Sequence, residues 1–199
     1  AAYARQYREF VEQVRAAENA LGGKTSRLAE AVARYLFKLM AYKDEYEVAR
    51  LYSSGEFAAK VAGMFEGDYK LKFHLAPPLL AKRDAQGRLV KQEFGPWMMK
   101  AFGVLARLRF LRGGAFDIFG YSQERKTERA LIAHYRETIA GLLPLLTADN
   151  LAQLVEIASI PEQIRGFGHV KERHLQAARE KEAALLARFH GPDPKAAMA

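Results

Sequence analysis

The sequence predicts an α+β protein, predominantly α, with a small antiparallel β element. Three observations carry this expectation. Apolar residues recur at helical spacing over most of the 199 positions, the period drops to two between Tyr69 and Leu75, and Gly and Pro pairs punctuate the chain where helices should end and turns begin. Half of the residues are hydrophobic and 11% are aromatic, enough for a sizeable core. Residues 1–190 are therefore expected to form a single mostly helical domain. Gly191-Pro192-Asp193-Pro194 and the small residues after it read as a flexible tail over 191–199.

The elements follow in order. Residues 3–20 suit a helix, with Tyr7, Phe10, Val11 and Val14 at helical spacing and Gly22-Gly23 as its stop. Thr25 or Ser26 can cap a second helix running to about Tyr52, where Ser53-Ser54-Gly55 interrupts it, and a short helix fits 56–66. Tyr69, Leu71, Phe73 and Leu75 alternate with Lys70, Lys72 and His74, which predicts a strand over 69–75 with one buried face. Pro77-Pro78 ends it, and the segments around Asp84-Ala85-Gln86-Gly87 predict a hairpin over 79–94. Gly95-Pro96 opens a helix from about Trp97 to Leu111 that is apolar nearly all round, so it is expected to be the central buried element. Ser122 can cap a helix to about Leu142 and Thr147 another over 148–159. A short turn at 161–165 and the break at Gly166-Phe167-Gly168 precede a last helix over 169–189.

Composition narrows the function. No apolar run approaches the roughly 20 residues of a membrane span, and the amino end is an amphipathic charged helix rather than a signal peptide, so a soluble chain without a membrane partner is expected. The opening Ala-Ala-Tyr, without Met and already helical, suggests a piece of something longer. Lacking cysteine, the chain offers no disulfide, no thiolate nucleophile and no ligand for an iron-sulfur cluster. Its five His residues show no metal-ligand spacing, and no metal site is expected.

The formal charge of +8 is local. Residues 69–129 hold 13 Lys and Arg against 5 Asp and Glu, while residues 1–68 hold 10 of each and residues 130–199 hold 8 of each. Lys82, Arg83, Arg88 and Lys91 on the hairpin are the expected basic surface, suited to acidic proteins, phosphates or nucleic acid.

The most informative stretch is Ala41–Tyr52. Counted at 100° per residue from Leu28, Val32, Tyr35, Leu39, Tyr42 and Tyr46 share one stripe, and Lys43 and Arg50 fall on it with Glu47 at its edge. Lys43, Glu47 and Arg50 are thus expected to form either a buried charge network or a site completed by another domain, because charges on an apolar stripe must be paired or meet a ligand.

Other motifs stop short of chemistry. Gly22-Gly23-Lys24-Thr25 imitates the end of a phosphate-binding loop, but Glu18 stands where the first Gly belongs and a helix, not a strand, precedes it. Gly166-Phe167-Gly168 ahead of a helix can present backbone amides to an anion, with Arg165, His169 and Lys171 supplying charge; an interhelical turn explains the same residues. Lys171 also occupies the third glycine position of a dinucleotide fingerprint. No Ser stands in a strand-to-helix elbow and no His has an evident orienting acid, so no catalytic residue is expected.

Five blocks remain: Tyr42–Tyr52, Phe73–Leu80, Glu93–Met98, Phe119–Tyr121 and Arg165–Lys171. In this order they resemble the C-terminal domain of bacterial indolepyruvate ferredoxin oxidoreductase, in the 2-oxoacid:ferredoxin oxidoreductase family, over roughly residues 26–189. The resemblance implies a cytoplasmic parent enzyme that decarboxylates aryl 2-oxo acids on thiamine diphosphate, passes electrons through iron-sulfur clusters to ferredoxin and hands the acyl group to coenzyme A. This chain has neither a thiamine motif nor cluster cysteines, since Gly67-Asp68 is followed by Tyr69 where a Gly belongs. The resemblance therefore implies an accessory domain that packs on other domains of the parent and helps contact coenzyme A or ferredoxin. The alternative is an independent nucleic-acid-binding module using the same basic excess, with Tyr69, Phe73 and Phe94 as stacking surfaces.

Overall fold

The computed structural model describes residues 2–23, 25–76, 82–83, 89–166 and 168–191, with the backbone alone at 82, 83 and 89. The fold class is as expected: a mostly helical α+β chain. Its helices are α1 (Ala2–Asn19), α2 (Arg27–Met40), α3 (Glu45–Ser53), α4 (Gly55–Ala62), α5 (Met98–Arg107), α6 (Gln123–Leu142), α7 (Leu151–Ala158) and α8 (His169–His190). Short 3-10 turns occupy Leu108–Leu111, Leu143–Leu145 and Ile160–Gln163. The strands are β1 (Phe73–Leu75), β2 (Lys82–Arg83), β3 (Leu89–Val90) and β4 (Gln92–Phe94).

Where the sequence reads one domain over 1–190, the chain divides into two compact units. One comprises Ala1–Tyr42 with Glu128–Ala199, the other Lys43–Thr127. The tail expected over 191–199 lies, after Gly191, outside the described residues.

The first unit is helical. Val14 of α1, Leu28, Val32 and Leu36 of α2, Ile139 of α6, and Leu154 and Ile157 of α7 are almost wholly buried in one cluster, to which α8 adds Leu175, Ala178 and Leu185. These positions recur at three and four residues, so each helix turns a single stripe inward. Two tyrosines fix α1 to α2: Tyr3 donates to the Met40 carbonyl at 3.1 Å and Tyr7 to the Ala33 carbonyl at 3.0 Å.

The second unit has a small core of Ala49, Phe73, Met98 and Phe102. Tyr52 is its hub, stacked on Phe102 at 5.1 Å and meeting Phe57 and Phe73 edge-on at 5.1 and 5.5 Å. The β element is antiparallel throughout: Phe73 pairs with Phe94 and Leu75 with Gln92, while Lys82 pairs with Val90 and Arg83 with Leu89. The antiparallel pairing expected of the hairpin is thus present, and the turn expected at Asp84-Ala85-Gln86-Gly87 lies outside the described residues.

Three expectations need correction. The strand begins at Phe73 rather than Tyr69; Tyr69 is exposed and rests on Phe65, so the alternation before Phe73 marks no ladder. The helix expected from Ser26 to Tyr52 is two helices, broken at Ala41–Asp44, because Asp44 takes an extended backbone and caps α3. The apolar helix after Gly95-Pro96 is no central buried element. It buries Met98 and Phe102 and leaves Trp97, Val104 and Phe110 in solvent.

Candidate functional site

The start of α3 gathers several polar contacts of the second unit. The Asp44 carboxylate accepts from the Glu47 amide at 2.8 Å and pairs with Arg112, Nε to Oδ2 at 2.5 Å and Nη2 to Oδ1 at 2.7 Å. Next to it, buried Arg125 reaches Glu45 through two contacts of 3.4 Å. Tyr46 meets Phe119 edge-on at 5.4 Å, and its hydroxyl is held above the ordinary tyrosine range first by burial and then by Asp117. Asp117 is itself buried and accepts from the Gly113 and Gly120 amides at 2.8 and 3.0 Å. A Cβ at Gly120 would stand 2.5 Å from the Asp117 carboxylate, so any larger residue there must displace that carboxylate from its amide contacts. The Tyr42–Tyr52 and Phe119–Tyr121 blocks therefore explain one another, and every acid among these residues is already engaged.

Lys43, Glu47 and Arg50 lie elsewhere than expected. Lys43 and Arg50 are exposed and Glu47 is half-buried. Arg50 grips Glu47 in a two-pronged contact, Nη2 to Oε1 at 2.7 Å and Nε to Oε2 at 2.9 Å. This hydrogen bond is the main reason the Glu47 carboxyl is held below the ordinary glutamate range, with Arg112 and Lys43 adding smaller attractions. Lys43, Glu47 and Arg50 do not share the buried stripe of α2, because helical phase does not carry across the break at Ala41–Asp44. The charges buried in this unit, among the described residues, are Asp44, Asp117 and Arg125, with Glu45 half-buried against Arg125; the cue for Asp44 was the Asp44-Glu45-Tyr46-Glu47 spacing, a helix-start signature.

Beside this cluster a shallow hollow of about 460 Å³ is lined by Arg50, Ser53, Gly103, Ala106, Arg107 and Arg109. Arg107 and Arg109 make no ion pair among the described residues. Of the basic hairpin, Lys91 is exposed, Lys82 and Arg83 belong to β2, and Arg88 lies outside the described residues.

In the first unit the Gly166 turn is built into the fold. Gly166 has φ +91°, and a Cβ there would come within 2.8 Å of Val170. Gly168 precedes α8 at φ +55°, and Phe167 lies outside the described residues. Arg165 is turned back to the Glu162 carbonyl at 2.9 Å and its carboxylate at 3.3 Å, while Lys171 pairs with buried Glu128. His169 is exposed. Lys38 donates to the Pro161 and Glu162 carbonyls at 2.6 and 3.0 Å; burial first, then the nearby Arg165 charge, lowers its affinity for a proton. The two strongest cations expected to meet an anion are thus committed to glutamates. An apolar cavity of about 440 Å³ lies in the same unit against Leu131, Tyr135, Ile160 and Leu175, with His134 held 2.8 Å from Glu182 among its lining residues.

The phosphate-loop imitation is also accounted for. Gly22 has φ +76° and ends the turn after α1, and Lys24 lies outside the described residues. Buried Glu18 accepts from the Leu28 and Ala29 amides at 3.0 and 2.9 Å. The first-turn amides of α2 that a phosphate would need are occupied by a carboxylate of the chain itself.

Fold and site together define a mostly helical α+β protein whose Asp44 and Asp117 carboxylates are buried and engaged within the chain. Residues 1–184 match the model of a family described as a family of unknown function (DUF6537). The chain belongs to that family. No curated protein and no solved structure matches it.

Proposed function

We propose that this chain is an accessory, non-catalytic region of an aryl 2-oxo acid:ferredoxin oxidoreductase, packing on the other domains of that enzyme and lending positive charge where ferredoxin or coenzyme A approaches. The five-block resemblance supplies the assignment. The observation that supports an accessory role is the Asp44–Asp117 cluster: the acids and bases in the most distinctive blocks are spent on helix capping, ion pairs and turn closure, while Lys91, Arg107 and Arg109 stay unpaired among the described residues. Thiamine diphosphate, the iron-sulfur clusters and coenzyme A belong in this reading to the parent enzyme.

The test is kinetic. In the full oxidoreductase, reversing Lys82, Arg83, Arg88 and Lys91 to Glu should raise KM for ferredoxin or coenzyme A, most at low salt. Unchanged KM for both rejects the docking role. A parent gene without a thiamine motif and clustered cysteines rejects the assignment itself.

The nucleic-acid alternative draws on the same charge. Of its three aromatics, Phe73 is 5% exposed and sits in the core, Phe94 is half-buried against Trp97, and Tyr69 alone is exposed. Retention of RNA or DNA in low-salt filter binding would restore it.

A further inference from the structure

The segment from Trp97 to Leu111 carries two apolar stripes. Met98, Phe102 and Leu105 pack into the unit's own core. Trp97, Val104 and Leu108 are spaced by seven and four residues, which at helical pitch sets them within about 40° of one another on a different face. They are 59%, 58% and 36% exposed, and Phe110, just beyond, is 75% exposed. Among the described residues, twelve of the fifteen exposed large apolar side chains lie in the Lys43–Thr127 unit, so the surface bias is regional and not a scatter of single residues.

Along this stretch of chain the charge has one sign. No Asp or Glu occurs from Gly95 to Phe116, and Lys100, Arg107 and Arg109 are exposed there without an ion pair among the described residues. In the same unit Asp44 is paired with Arg112, Glu45 with Arg125 and Glu47 with Arg50.

We infer that the Trp97–Val104–Leu108 stripe is the docking face for a protein partner whose own surface is apolar at its centre and acidic at its rim. The apolar centre follows from Val104 and Leu108, aliphatic side chains of the kind a partner's apolar core covers; Trp97 is the one ring in the stripe on which a base could stack, and oligo(dT) tests that alternative. The acidic rim follows from the unpaired Lys100, Arg107 and Arg109. A second copy of this chain is disfavoured, because a two-fold interface would set those cations against their own equivalents. This inference does not rest on the oxidoreductase reading, and its residues differ from the hairpin residues tested there.

Trp97 is the chain's single tryptophan, so its emission reports on the stripe directly. The purified chain is titrated with a synthetic amphipathic helical peptide carrying Leu on one face and Glu on the other, with the matching Leu and Lys peptide, and with oligo(dT), while its own mass is followed by sedimentation. The expected result is a saturable blue shift with the Glu peptide alone, about tenfold weaker when salt rises from about 0.05 to about 0.5 M. Val104→Glu with Leu108→Glu should abolish it, and Arg107→Gln with Arg109→Gln should weaken it while leaving circular dichroism unchanged. No shift with the Glu peptide, or an equal shift with the Lys peptide, overturns the inference. So does a shift that tracks the chain's own dimerisation, or saturable quenching by oligo(dT). If the glutamate variant is misfolded, the glutamine variant decides: unaltered affinity refutes the acidic rim.

Discussion

Asp44 joins two interactions in one carboxylate, and substitutions can separate them. Asn keeps an acceptor for the Glu47 amide but gives up the charge facing Arg112; Ala loses both. Asp44→Ala should therefore cost about 2–3 kcal/mol in urea denaturation and Asp44→Asn about 1. Glu18→Ala should cost about 2–3 kcal/mol by stranding the Leu28 and Ala29 amides. Glu47→Ala, in contrast, should cost about 0.5 kcal/mol or less, since its pair with Arg50 is surface-exposed. Because the folded-state value of Glu47 lies below 4.5, the pair's contribution is complete above that pH and is lost as acid takes the carboxyl through its depressed midpoint. Carbon-detected NMR titration should find that midpoint below 4.5 and rising toward it in Arg50→Ala. Much of this was legible in the chain: Asp44 and Glu47 stand at the spacing of a helix start. Glu18 was not, because its partners lie ten and eleven residues away across a turn, beyond any local pattern.

At the scale of elements, periodicity marked the helical stretches among the described residues but merged α2 and α3 into one helix, and the errors fell where one pattern served two structures. Helical phase from α2 into α3 ran through a break set by one residue's backbone. The all-round apolar character of the helix from Met98 to Arg107 was read correctly, yet burial did not follow, since apolar content measures a need for cover and not the presence of a covering element. The aromatic hub gives the sharpest test. Tyr52→Ala should remove about 3 kcal/mol by opening a cavity among Phe57, Phe73 and Phe102. In hydrogen exchange, amides of α3 and α5 should lose protection while those of α7 and α8 keep theirs. Uniform loss along the chain would mean that the hub supports more than its own unit.

At the scale of the molecule, charge and connectivity set the behaviour. The basic excess sits in 69–129, largely within the Lys43–Thr127 unit, so salt should act on the association of that unit far more than on the stability of the other. The charge bias was plain in the sequence. The division into two units was not, because its boundaries fall at Tyr42 and inside α6, where no run of Gly, Pro or Ser marks a linker.

That division has a consequence for synthesis. The Lys43–Thr127 unit is continuous and leaves the ribosome whole, whereas the unit around it is split and must hold Ala2–Met40 in waiting until α6, α7 and α8 emerge. Until then Leu28, Val32 and Leu36 lack the partners that bury them. The interval between translating residue 42 and residue 190 is thus when the nascent chain is most exposed to aggregation and to chaperone capture, and slowing elongation there should lower the soluble yield.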